Sequence, residues 1–443
     1  MNLKKIAAWS FLSLSFTLLH ATDITVNVSQ PLQQTTPVLY LPNGKSLPIE
    51  LDANGQGKIA FSFKEAGYVK VGYHYVTRLF WVDPTSSLQL SFNGNSFYQE
   101  IQIGGDHQKI NEYLNGEKLP FATINDTELS EAAFLQKSDS LLQSNLERVK
   151  KLNLPADFKE REAERVVYYT YQSLPAYPTF HRRICKDPAF KPSAAYWNKL
   201  KEVTRLDGHL LNLEDYQTYL IEAVRELSKN EYPEQKKIER LTAYLSQHVS
   251  EPKIAEYLVF KHVYSHVKNH GLNEVEAYLQ AFDTYVKDPQ MKGRFQQLCD
   301  QMNSLNPGAF SADFNATNLK GEKVSLKDLK GKYIFIDIWA TWCVPCRKEL
   351  PFMKKLEERY KDKDIHFVSI SCDTNRKAWE KKVTQDQLQG IQLHFSDDSF
   401  LKKYMVQGIP RFILLDQQGR ILSAEMTRPS DPATTQVLDD LLK

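Results

Sequence analysis

From residue 22 onward, apolar and polar positions alternate in short runs. Ile24-Thr25-Val26-Asn27-Val28 has the period of two that sends alternate side chains to opposite faces of a half-buried strand. Runs at 38–41, 59–63, 68–71, 79–82 and 88–92 repeat it, with Pro42-Asn43-Gly44, Asn54-Gly55, Asp83-Pro84 and Asn93-Gly94 as turns between them. Several short strands at this spacing predict an all-β, sandwich-like domain over 22–105. From 106 to 305 the period becomes helical. Over 214–229, Tyr216, Tyr219, Leu220, Ala223, Val224 and Leu227 recur at three- and four-residue steps, and Leu258, His262 and Val263 mark a similar face over 254–267. Prolines at 155, 175, 178, 188, 192, 233, 252 and 289 punctuate this all-α domain. Its many tyrosines read as core and rim, with a substrate-binding surface as the alternative.

Asn306-Pro307-Gly308 reads as a linker into a third domain, 306–443, where strand and helix patterns alternate. Stretches 313–318 and 323–326 can pair across Lys320-Gly321. The run 333–339 (YIFIDIW) is almost wholly apolar, as a strand buried on both faces requires, and 365–371 is a second such strand. Helices are predicted over 345–361, 376–388 and 431–442. Further strands are predicted over 391–395, 412–415 and 421–424, the last two joined by Asp416-Gln417-Gln418-Gly419. The whole is an α/β sheet with covering helices.

Composition narrows the function. The 56 Lys and Arg nearly cancel the 54 Asp and Glu. The basic excess of a phosphate-neutralising nucleic-acid binder or a polybasic membrane-surface protein is therefore absent. Five cysteines in 443 residues are too few for a disulfide scaffold. Lys4 and Lys5 precede the mostly apolar run 6–19, which is short for a membrane span and fits an export signal. Residues 1–21 are read as a signal peptide ending at Ala21, although Leu19 stands where a small residue is preferred; an uncleaved anchor is the alternative. Either places the rest of the chain outside the cytoplasm, with a bacterial periplasm expected.

The chemistry gathers at Trp342-Cys343-Val344-Pro345-Cys346. A Cys-x-x-Cys between a buried strand and a helix puts its first sulfur at a helix N-terminus. There the free N–H groups and the dipole favour thiolate. The second sulfur lies one turn on, near enough to close a disulfide. Half a zinc site is the competing reading, but no second pair stands at ligand spacing. His262, His266 and His270 share a helix face without an acidic residue to complete a known metal spacing, so no metal is expected. No cofactor is expected either. Cys185 and Cys299 read as buried free thiols or a structural disulfide.

Residues 308–443 resemble the TlpA/ResA family of thioredoxin-like disulfide reductases. The resemblance rests on Asp337-Ile338-Trp339-Ala340-Thr341-Trp342-Cys343-Val344-Pro345-Cys346-Arg347-Lys348-Glu349-Leu350-Pro351 and on Gly408-Ile409-Pro410. It covers the last third of the chain; residues 22–105 resemble, more loosely, the β domains that precede such modules in exported bacterial proteins. The resemblance implies an attacking thiolate at Cys343, a resolving thiol at Cys346 and a cis-proline at Pro410. It leaves the backbone of Ile409 open to pair with an extended client segment. Asp337 matches thioredoxin's buried acid, expected to have a raised pKa and to accept the proton of Cys346. The alternative is a structurally satisfied polar residue. Glu349 matches the family's acidic residue near the active-site cavity, or else is a solvated first-turn carboxylate. Trp342 and Pro345 are expected to flank the client. Arg411 stands where the family usually has threonine; it either favours thiolate at the sulfurs or points to solvent. Cys372 is an inert core thiol or a third redox group. A peroxiredoxin is ruled out, because Ala340 rather than threonine stands three residues before Cys343.

The expected protein is thus an exported thiol–disulfide oxidoreductase that reduces disulfides of client proteins and is re-reduced by a membrane thiol donor. The alternative is a binding or scaffolding protein with an accessory redox-sensing module.

Overall fold

A computed structural model of the chain describes residues 21–32, 35–272 and 275–443. Except for Ala21, the export signal read over 1–21 lies outside the described residues. Strand gives way to helix between Gly105 and Gln108, and helix to strand between Asn303 and Ala316. Compactness divides the chain elsewhere, inside the helical stretch. One unit runs up to Val203 and adds His209–Ala223; the other comprises Thr204–Gly208 and Val224–Lys443.

The first unit opens with strands β1 (Thr22–Ser29), β2 (Val38–Tyr40), β3 (Ser46–Pro48), β4 (Gln56–Phe61), β5 (Gly67–Tyr73), β6 (Val76–Val82), β7 (Ser87–Asn93) and β8 (Gln102–Gly105). They form two four-stranded sheets, ordered β4-β1-β7-β8 and β3-β2-β5-β6. Ile24 and Val26 of the first sheet share one apolar core with Leu88 and Leu90 beside them and with Val69, Val71 and Phe80 of the second. This is the sandwich that alternation predicts. Strands β3 and β8 were not legible, because both are short edge strands and carry Pro48 and Gly104-Gly105, residues that central strands avoid.

The helices follow as α1 (Gln108–Asn115), α2 (Glu131–Lys151), α3 (Ala156–Thr170), α4 (Tyr177–Ile184), α5 (Ala194–Val203), α6 (Glu214–Glu231), α7 (Lys237–His248), α8 (Pro252–His270), α9 (Glu276–Tyr285) and α10 (Pro289–Asn303). Pro178, Pro252 and Pro289 stand in first turns, where the missing N–H costs no intrahelical bond. Tyr168, Tyr177, Tyr196, Tyr216 and Tyr219 are fully buried, so tyrosine serves as core. Helix α8 ends at Gly271, φ +75°, and the His266 ring stacks on Tyr278 at 3.7 Å. Among the described residues no helix is long and apolar enough to cross a membrane.

Within the first unit a buried ionic cluster ties sandwich to helices. The Glu162 carboxylate of α3 is fully buried. It accepts from Tyr68 Oη of β5 at 2.6 Å, from Tyr113 Oη of α1 at 3.0 Å, and from Arg165 Nε and Nη2 at 2.8 and 2.7 Å. Arg165 Nη1 reaches Asp215 Oδ2 of α6 at 3.0 Å.

The second unit ends in the third domain. Its elements are β9 (Ala316–Thr317), β10 (Lys323–Val324), β11 (Tyr333–Trp339), α11 (Val344–Arg359), β12 (Ile365–Ser371), α12 (Arg376–Gln385), β13 (Ile391–Phe395), α13 (Ser399–Lys403), β14 (Arg411–Leu415), β15 (Ile421–Met426) and α14 (Pro432–Leu441). The seven-stranded sheet runs β10-β9-β13-β12-β11-β14-β15. Strands β11, β12 and β13 are parallel; β14 runs antiparallel to β11, and β15 antiparallel to β14. Central β11 is covered on both sides. Ile334, Ile336 and Ile338 pack with Phe400 and Tyr404 on one face, while Phe335 packs with Met353 and Leu356 of α11 and Leu438 of α14 on the other. This is the thioredoxin-like arrangement expected of the sequence. The proposed linker at 306–308 is instead a packed strap. Gly308 N–H donates to Ile421 O at 2.7 Å, Ile421 N–H donates to Ala309 O at 2.8 Å, and the Arg420 guanidinium lies 3.9 Å from the Phe310 ring centre. Its backbone groups find partners along β15, which removes the freedom that Asn-Pro-Gly suggests.

Glu162→Ala leaves Arg165 buried without its main counter-charge and should lower unfolding stability by about 3–5 kcal/mol. Adding Arg165→Met should recover part of the loss. Urea denaturation followed by near-UV circular dichroism measures both.

Candidate active site

Strand β11 delivers the chain to the carboxyl edge of the sheet, the end at which open α/β sheets carry their sites. A turn closed by Cys343 N–H to Ala340 O at 3.1 Å then feeds α11. Cys343 is the N-cap of that helix, and its sulfur accepts from Cys346 N–H at 3.1 Å. The two cysteines are joined as a disulfide, with Cα atoms 5.3 Å apart. A sulfur therefore occupies the seat where serine or aspartate usually satisfies the first free amides of a helix, the position in which a thiolate is stabilised. Both sulfur-bearing residues are nearly enclosed, Cys343 at 4% exposure and Cys346 at 2%, among Trp339, Ala340, Leu350, Trp379 and Val383. Around them stand exposed apolar groups: Trp342 at 62%, Val344 at 51%, and Pro345 in the first turn.

The Ile409–Pro410 peptide is cis, and Ile409 O lies 3.7 Å from Cys343 Sγ. Pro410 thus follows directly on the carbonyl that reaches the disulfide. Arg411 is paired within the sheet: its Nη1 is 2.9 Å from Glu425 Oε2 on β15, and its side chain is largely covered rather than free in solvent. The antiparallel neighbour strand supplies a carboxylate that the local sequence around Arg411 does not show.

Asp337 lies on the α11 face of β11 and is buried. Burial pushes its carboxyl up to about 7, helped by the nearby Glu357 and Glu349 charges and opposed by a 3.4 Å hydrogen bond from Ser369 Oγ on β12. Glu349 is buried rather than solvated. Its two oxygens accept from Ser430 N–H and Ser430 Oγ, each at 3.0 Å, with Arg428 at 4.0 Å. Glu357, two turns further along α11, is also pushed up to about 7 by burial; helical periodicity shows the face, not the chemistry, and the sequence reading missed it.

The free cysteines are distinct from this pair. Cys372 follows β12, packs against the same apolar cluster as the disulfide, and lies 3.4 Å from Trp339 O. Burial raises its thiol to about 12, with the Asp373 and Asp337 charges adding to the effect. A thiol pushed that high favours its protonated form near neutral pH. Cys185 and Cys299 are also free; Cys185 is exposed rather than buried, at the end of α4. A second group missed by the sequence reading is Asp373. It is buried and accepts from Thr341 N–H at 2.9 Å, Thr341 Oγ1 at 2.7 Å and Ser371 Oγ at 2.7 Å.

A family model described as Redoxin matches residues 305–442. The thiol-disulfide oxidoreductase ResA of Bacillus anthracis is 34% identical over 115 residues, 26% of this chain and 66% of its own length, just under two thirds. The thioredoxin-like protein YneN of Bacillus subtilis is 34% identical over 140 residues, 30% of this chain and 80% of its own. The solution structure of a Bacteroides vulgatus protein assigned as a thiol-disulfide oxidoreductase is 60% identical, covering 31% of this chain and 92% of that one, with a TM-score of 0.29.

Two measurements check the electrostatics. A carboxyl raised to about 7 binds its proton more tightly in the folded chain than in the unfolded one. The stability that Asp337 contributes is therefore lost as pH rises from about 4 to about 7 and is constant above that. Asp337→Asn should gain stability over the parent across this window, by up to about 4 kcal/mol at 1.4 kcal/mol per unit, in urea titrations at pH 5 and pH 8. Cys372→Ser should leave disulfide-reducing turnover within about twofold, and native Cys372 should resist alkylation at pH 8.

Proposed function

We propose, from the premise that this chain belongs to the Redoxin family of thiol–disulfide oxidoreductases alongside ResA, that it is an exported protein-disulfide reductase. The observation that carries this reading is the Cys343 sulfur at the N-cap of α11, bonded to Cys346 and within reach of its N–H. In the reduced form the Cys343 thiolate attacks one sulfur of a client disulfide. The client S–S bond breaks, a mixed disulfide forms, and the other client sulfur leaves as thiolate. Cys346 then gives up its proton and attacks Cys343 Sγ. The mixed bond breaks, the second client thiolate leaves, and the Cys343–Cys346 disulfide closes. Two electrons have passed from the dithiol to the client.

Asp337 takes the Cys346 proton. A carboxyl held near 7 by burial is half-ionised at neutral pH, which suits it to accept and release a proton there. Glu349, tied to Ser430, supports the negative surroundings that keep Asp337 in that range. The client lies against Trp342 and Pro345 and along the Ile409 backbone at the cis-Pro410 corner, with the Arg411–Glu425 pair at its rim. The oxidised pair is re-reduced by a thiol donor at the membrane. Export rests on the basic pair Lys4-Lys5 and the apolar run 6–19, and the destination is a bacterial periplasm.

Cys343→Ser should abolish insulin reduction by dithiothreitol-primed protein, whereas Cys346→Ser should accumulate a mixed disulfide visible by mass spectrometry. Turnover retained in Cys343→Ser rejects the assignment. The mature exported protein should begin at Thr22 on N-terminal sequencing.

A further inference from the structure

We infer that Asp373 is a positioning residue for the dithiol, holding the turn ahead of Cys343 in its disulfide-ready shape while the disulfide is open. The inference rests on the dithiol–disulfide reading above. Asp373 is 5% exposed and lies just past β12, thirty-two positions from Thr341 in sequence. Thr341 is two residues before Cys343, inside the turn that Cys343 N–H closes on Ala340 O. Its N–H donates to Asp373 Oδ2 at 2.9 Å and Oδ1 at 3.2 Å, and its hydroxyl donates to Oδ1 at 2.7 Å. The carboxylate is itself braced. Ser371 Oγ donates to Oδ2 at 2.7 Å and accepts from Asp373 N–H at 3.0 Å, while His394 Nε2 of β13 meets Asp373 O at 2.7 Å. Cys372 N–H to Trp339 O, 2.9 Å, fastens the same two strand ends.

No reacting atom is touched by Asp373; it acts through Thr341. While the Cys343–Cys346 bond is closed, the covalent ring over residues 343–346 anchors Cys343, the residue on which the Ala340–Cys343 turn ends. Once the bond opens, the turn is held only by non-covalent contacts, and the Asp373 clamp is the most heavily bonded of those described. Removing it loosens the dithiol and leaves the disulfide almost unaffected. That extra freedom stabilises the reduced form, lowers the effective concentration of Cys346 at Cys343, and slows closure. Loss of a nearby negative charge stabilises thiolate and so shifts the equilibrium in the same direction.

The test equilibrates the full chain with glutathione redox buffers and quantifies the disulfide fraction by thiol trapping. Asp373→Ala should lower the disulfide-forming equilibrium constant about tenfold, a potential about 30 mV less negative. Asp373→Asn, which keeps one acceptor, should fall between variant and parent, and Thr341→Val should lose about threefold. Insulin reduction should show a reduced kcat at unchanged KM. Variants with native near-UV spectra whose equilibrium constant and kcat equal the parent's overturn the role of Asp373. Should Asp373→Ala not fold, Thr341→Val decides by the same criterion. A parent chain that never equilibrates with glutathione overturns the redox reading itself, and this inference with it.

Discussion

The hydrogen bond from Cys346 N–H to the Cys343 sulfur is the contact on which the site depends. A helix leaves its first amides without partners, and something must satisfy them. Here Pro345 removes one of those amides outright, since proline has no N–H, and the sulfur takes the next. The demand is local, but meeting it requires that α11 begin at one place. That start is fixed by β11, whose apolar residues are buried on both faces and cannot slip along the sheet without exposing one of them. The core therefore supplies the register, and the register supplies the thiolate seat.

Three buried carboxylates in this chain show how environment divides one chemical group into different roles. Glu162 takes four donors, two from Arg165, and is a structural anion. Asp373 takes its donors from Thr341 and Ser371 and fixes a turn. Asp337 has one hydrogen bond of 3.4 Å and two acidic neighbours, so its charged form is poorly supported and its proton is held to about 7. Donor supply thus separates the three: Glu162 and Asp373 are held by several donors, while Asp337 is left with its proton tightly bound and suits the proton transfer proposed for it.

Much of this was legible in the chain. The run YIFIDIW became β11 over its predicted seven residues, and 365–371 became β12, because a strand covered on both faces must be apolar throughout. The turn at Asp416–Gly419 appears with Gly419 at φ +80°, a conformation few other residues adopt readily. Edge strands β3 and β8 and the one-turn α13 escaped because they are too short to show a period. Asp373 and the Glu425 partner of Arg411 escaped for another reason. Their meaning lies in a neighbour that the fold brings from a different strand, and one sequence carries no record of that pairing.

The two cysteines differ little in exposure, 4% against 2% for the whole residues, so exposure alone does not assign an order of action. Position does. Cys343 borders the exposed lip of Trp342 and Val344 and the Ile409 carbonyl, which is where the proposed exchange brings the client sulfur. Cys346 is one helical turn deeper, with its own N–H already engaged by its partner's sulfur. In the proposed exchange, the sulfur seated at the N-cap of α11 is the one that meets the client, and its resolving partner lies one helical turn away in the same chain.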